Sequence, residues 1–209
     1  MRDSRPTVHY TLVSAAENPA LAHARGKLGG AERYHRPIAS PPRWSHLALA
    51  MPMNMTSTTA EDRLAKLGIR LPDAPSPFGA YVPAIQTGNL LFLSGMLATV
   101  GHTPAMVGVV GKDLDASAGQ EAALAAALNV LALTRKQLGS LNRVTQFVRL
   151  SVFVAATAEF TEHAKVADGA SEFLRAVFGE NTVPARVVVG VSSLPLGSPV
   201  ELEVILEVK

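Results

Sequence analysis

The chain has 209 residues, of which 48% are apolar and 17% charged, so it is neither disordered nor collagen-like and has room for one domain with or without an arm. Cysteine is absent, which removes disulfides, thiolate metal sites and cysteine nucleophiles. The formal net charge is +2, unevenly placed: residues 1–50 hold seven basic and three acidic side chains, the remainder 12 basic and 14 acidic.

The leading stretch does not read as a folded unit. Residues 9–13 suggest a short strand and 15–24 a weak helix, and neither has a partner of matching period. Pro6, Pro19, Pro37, Pro41 and Pro42 punctuate the rest. Three readings are open: an Arg-rich transit peptide, a nucleic-acid-binding arm, or a leader before a start at Met51, Met53 or Met55. The methionine cluster just ahead of a clean helix signal favours the third. Residues 1–55 are therefore expected to be a disordered or mis-annotated leader, and 56–209 the domain. No run approaches the ~20 apolar residues of a membrane span. No membrane association is expected, and the cytoplasm is the simplest compartment.

A helix is expected over 58–68: Thr58 or Thr59 can cap it, Glu61 and Asp62 suit its first turn, and Gly68 stops it. Pro72, Pro75 and Pro77 then force an extended path. Residues 81–86 and 90–94 read as strands around the turn Thr87-Gly88-Asn89, and 107–110 as a third. A long helix is expected over 117–138, where Leu124, Leu128, Leu131 and Leu138 recur at helical spacing among alanines. A strand over 144–155, a second long helix over 159–178 and strands over 186–193 and 199–208 complete the chain. After the short leading helix the order is β-β-β-α-β-α-β-β. That is an α+β domain of two layers, a mixed sheet of about six strands with two helices on one face. In the last strand Val200, Leu202, Val204, Leu206 and Val208 share one face, and Glu201, Glu203, Ile205 and Glu207 the other. The first face suits a core. The second, beside very apolar strands, is expected at a subunit interface.

Motifs of the common chemistries are missing from the sequence: there is no P-loop, no dinucleotide-binding glycine pattern, no His-Glu-x-x-His and no nucleophile elbow. Glu159 and His163 would share a helix face, but one such pair reads as solvated surface, so neither a metal nor a cofactor is expected. Arg186 stands out, because it follows Val183-Pro184-Ala185 and opens the apolar run Val187-Val188-Val189. An arginine leading a buried strand requires a partner. Two are open: an internal pair with Glu201, Glu203 or Glu207, or the carboxylate of a small ligand, which a guanidinium holds through two parallel hydrogen bonds.

Ala74-Pro75-Ser76-Pro77-Phe78-Gly79-Ala80-Tyr81, Leu91-Phe92-Leu93-Ser94-Gly95, Val152-Phe153-Val154, Pro184-Ala185-Arg186 and, after Leu194-Pro195, Val200-Glu201-Leu202-Glu203 occur in this order. Through them residues 71–209 resemble the RidA/YjgF family of enamine/imine deaminases, also labelled "endoribonuclease L-PSP" or translation inhibitors, with a chorismate-mutase-like fold. The resemblance implies a homotrimer with clefts between subunits. It implies hydrolysis of 2-aminoacrylate-type imines to 2-keto acids and ammonia. Matched by position, Arg186 is the arginine that clamps the substrate carboxylate and Glu201 the glutamate that orients or activates water. Tyr81 matches a pocket tyrosine, and Ser94 and Gly95 a strand end that offers backbone contacts. Val188 stands where the best-studied branch often has cysteine. Gly169 stands at the place of a pocket asparagine, or Asp168 does if one residue is inserted. Pro83 is unusual for the family. Two other functions are weighed on the same fold: binding of small carboxylates without turnover, and a ribonuclease. The acidic balance after residue 50 speaks against nucleic acid.

Overall fold

The computed structural model describes residues 59–209. The strand at 9–13, the helix at 15–24 and the start at Met51, Met53 or Met55 lie outside the described residues. Thr59–Arg63 and Leu71–Lys209 form one compact unit, and Leu64–Arg70 falls outside it. Helix α1 (Ala60–Lys66) is capped by Thr59. Its Oγ1 accepts the Asp62 N–H at 3.2 Å, and the Asp62 carboxylate accepts the Thr59 N–H at 3.1 Å.

The main sheet has five strands: β1 (Ala84–Thr87), β2 (Leu90–Leu97), β5 (Val144–Ala155), β6 (Ala185–Val191) and β7 (Val200–Val208). Their order is β1-β2-β7-β5-β6, and every pairing is antiparallel except β5–β6. β3 (Thr99–Val100) and β4 (Thr103–Pro104) form a separate small ribbon. Helices α2 (Ala116–Leu138) and α3 (His163–Phe178) cover one face. This is the expected α+β plan with one strand fewer. The segment at 107–110 is not a strand: Gly108 at φ 140° and Gly111 at φ 89° curl the chain on either side of Val110, which keeps only single bridges to Leu114 and Ala156.

Two other boundaries move for local reasons. β1 starts at Ala84 because Pro83 has no N–H to give a ladder. α3 starts at His163, because Thr157 and Phe160 close a turn first, with the Phe160 N–H donating to the Thr157 carbonyl at 3.2 Å. Glu159 is thus outside the helix, and the supposed Glu159–His163 helix pair does not form.

The strand parity places the core. Val200, Leu202, Val204 and Leu206 are fully buried under the helices, together with Leu150, Val152 and Val154. By length and composition alone α2 is long and apolar enough to cross a membrane, but its apolar residues are mostly buried in this core. The α2–α3 crossing depends on missing side chains. A Cβ on Gly169 would lie 2.2 Å from the Gln120 carbonyl oxygen, and one on Gly119 would lie 2.8 Å from Val166. Gly169 thus lets α3 lie directly against the α2 backbone at Gln120. Gly169→Ala is expected to destabilise the fold by roughly 1–3 kcal/mol, since α2 backbone has nowhere to yield and the overpacking exceeds the gain in helix propensity. Urea denaturation of the two proteins measures it.

Candidate functional site

Glu201 lies on the face of β7 that the helices leave open. Its carboxylate rests directly on Gly95: a Cβ there would come within 1.8 Å of Oε1 and 2.8 Å of the carboxyl carbon. β2 makes room by bulging, since its register against β7 shifts between Leu93 and Met96. The half-buried Glu201 carboxyl titrates above the usual glutamate range, first because burial disfavours its charge and second because Glu203 adds like charge on the same face.

Beside Gly95 is a shallow hollow walled by Pro75, Pro77, Phe78, Tyr81, Pro83 and Leu97. Ser94 latches its rim: the hydroxyl donates to the Val82 carbonyl at 2.7 Å and the N–H to the Pro83 carbonyl at 3.0 Å. The Tyr81 hydroxyl accepts the Phe78 N–H at 3.1 Å. The back wall is held from the core. Buried Asn129 on α2 donates to the carbonyls of Leu97 and Thr99, both at 2.9 Å. Tyr81, Ser94, Gly95 and Glu201 are thus brought together. Phe78 and Asn129 join them without having been singled out. The available signals were an aromatic inside the proline run, and a lone amide among the buried residues of an apolar helix.

Arg186 is elsewhere. It pairs in register with Leu150 and points to the helix side of edge strand β6, where Nη1 donates to Asp168 Oδ1 at 2.7 Å and to Ser171 Oγ at 2.9 Å. Asp168 rather than Gly169 faces it, and its internal partner is none of Glu201, Glu203 or Glu207. Val188 follows on the same face, and Gly190 after it carries the His163 ring, whose Nε2 would be 2.5 Å from a Cβ there. β5 lies between β6 and β7, so the last two strands are not a hairpin. Within one chain Arg186 and Glu201 are two strands apart and on opposite faces. Among the described residues no group of three or more His, Asp or Glu side chains is placed to hold a metal ion.

Residues 61–207 match a family described as "YjgF/chorismate_mutase-like, putative endoribonuclease". Protein TCP17 of Trypanosoma cruzi is 41% identical over 145 residues, 69% of this chain and 91% of that one. A 2-iminobutanoate/2-iminopropanoate deaminase of Dermatophagoides farinae is 30% identical over 141 residues, 68% of this chain and 95% of that one. The crystal structure of Atu1372 from Agrobacterium tumefaciens, a protein of unknown function, superposes with a TM-score of 0.66 at 38% identity, covering 72% of this chain and 94% of that one.

Proposed function

The chain belongs to the RidA/YjgF family, and from that premise we propose that it hydrolyses small reactive imines of the 2-aminoacrylate type to 2-keto acids and ammonia. The observation that carries the reading is the Glu201 carboxyl laid on Gly95 beside the hollow lined by Tyr81 and Phe78. Its raised affinity for a proton suits a group that takes one from water and returns it. Water adds to the electrophilic imine carbon as Glu201 accepts its proton. The resulting carbinolamine then receives a proton on nitrogen, the C–N bond breaks, ammonia leaves and the carbonyl forms. No protein nucleophile is needed, because the iminium carbon is already activated and positioning supplies the rest.

Arg186 holds the substrate carboxylate. Since it and Glu201 occupy opposite faces, the working cleft is built by two copies in a homotrimer, each lending one of the two residues. The open sheet face supports this: Ile85, Phe92, Val187 and Val189 are 58, 37, 37 and 41% exposed around Glu201 and Glu203. Arg186→Ala is expected to raise KM for freshly generated 2-aminoacrylate about 10- to 100-fold, the worth of a charged hydrogen-bond pair. Keto-acid release measured with and without the protein checks this, and mixing Arg186→Ala with Glu201→Gln subunits restores activity if the cleft is shared. A wild-type protein that is stabilised against heat by keto acids but gives no turnover is a binding protein instead.

A further inference from the structure

Arg186 is not a bare clamp. Its guanidinium has two forks, and the protons of one terminal nitrogen are already committed. Nη1 donates to Asp168 at 2.7 Å and to Ser171 at 2.9 Å, and Ser171 is itself fixed by donating to the Ala167 carbonyl at 3.2 Å. Among the described residues, no hydrogen bond is made by Nε or Nη2. We propose that Asp168 is a positioning residue for Arg186: it pins Nη1 so that the Nε–Nη2 side presents a complete fork for a ligand monocarboxylate. This rests on the reading that Arg186 binds a carboxylate, and it adds which edge receives it and what orients that edge.

Two opposed effects follow from one side chain. As an acceptor, Asp168 fixes the plane of a long cation whose freedom is otherwise lost on binding. As a negative charge, it repels the anion it helps to place. The Arg186 and Asp168 side chains are 26 and 44% exposed, so solvent screens that repulsion to a modest size. Asp168→Asn keeps the acceptor and removes the charge. Asp168→Ala removes both.

The test is calorimetric binding of pyruvate to the full-length wild type, Asp168→Asn, Asp168→Ala and Arg186→Ala, with pyruvamide as the uncharged control. Asp168→Asn is expected to bind pyruvate about threefold more tightly at low salt, with the gain fading as salt is added. Asp168→Ala is expected to bind it at least about tenfold more weakly, from lost orientation. Pyruvamide affinity changes in neither sense with the charge. A merely structural role predicts weakening in both Asp168 variants, and that result, or no change in either, overturns the proposal. Pyruvate binding that survives Arg186→Ala unchanged, or wild type that binds no pyruvate, overturns both the proposal and the clamp beneath it. If the opposed pattern appears but imines are not turned over, the deaminase reading alone fails.

Discussion

Glu201→Gln is expected to lower kcat of the proposed deamination by about 10²–10⁴-fold near neutral pH, the usual contribution of a positioned general base. Glutamine preserves the shape over Gly95 and removes the carboxylate that the proposed reaction uses to receive the water proton. The wild-type rate should also rise with pH through a limb above the ordinary glutamate range, because burial and Glu203 both oppose the charged form. Glu203→Gln removes the second cause and leaves the first, so the limb moves toward lower pH without returning fully to the ordinary value. Stability should move the other way. The folded protein holds the Glu201 proton more tightly than the unfolded chain does. Between the ordinary and the raised value it binds more protons, so stability falls as pH rises through that window. Glu201→Gln lacks this loss, and at neutral pH it should melt above the wild type. Parallel pH profiles of kcat/KM and of thermal midpoint measure both. A variant with wild-type rates removes Glu201 from the chemistry.

Gly95→Ala is the second large effect. Gly95 is not in the left-handed region, so alanine meets no backbone strain there. Its methyl group would instead fall 1.8 Å from Glu201 Oε1, and the flexible side chain must leave. Displacing a reacting group by about an ångström costs on the order of 10²-fold in rate. The fold should remain, since a side-chain end yields rather than a backbone. Circular dichroism and kcat of the variant separate the two. In a Glu201→Gln background the same alanine should cost little more, because both changes disable one group.

Gly95 and Gly169 differ in what they abut, a difference that the local sequence does not carry. The family resemblance matches both to pocket positions. Each abuts another element, but Gly95 meets the tip of a side chain and Gly169 meets helix backbone. Nothing in the local sequence around either distinguishes a contact with a side-chain tip from a contact with backbone, because the neighbour in each case is about 50 to 106 residues distant in the chain. The third expected strand failed for a nearer reason. Residues 107–110 have strand composition, but Gly108 within them and Gly111 just after are both at positive φ. The second long helix, expected over 159–178, starts one turn later at His163, because a turn closed between Thr157 and Phe160 precedes it, which composition does not reveal.

By itself the sequence determined the two long helices, the nine-residue parity of β7 and hence the face on which Glu201 stands. These follow from periods of 3.6 and 2, which are properties of neighbouring residues. It also marked Arg186 as a charge in need of a partner. Only the tertiary structure decided that the partner is Asp168 and that Glu201 faces the other way. The reason is the insertion of β5 between β6 and β7. Strand order and the rotational phase of α3 over the sheet are set by the joint packing of segments far apart in the chain, and no local pattern encodes either.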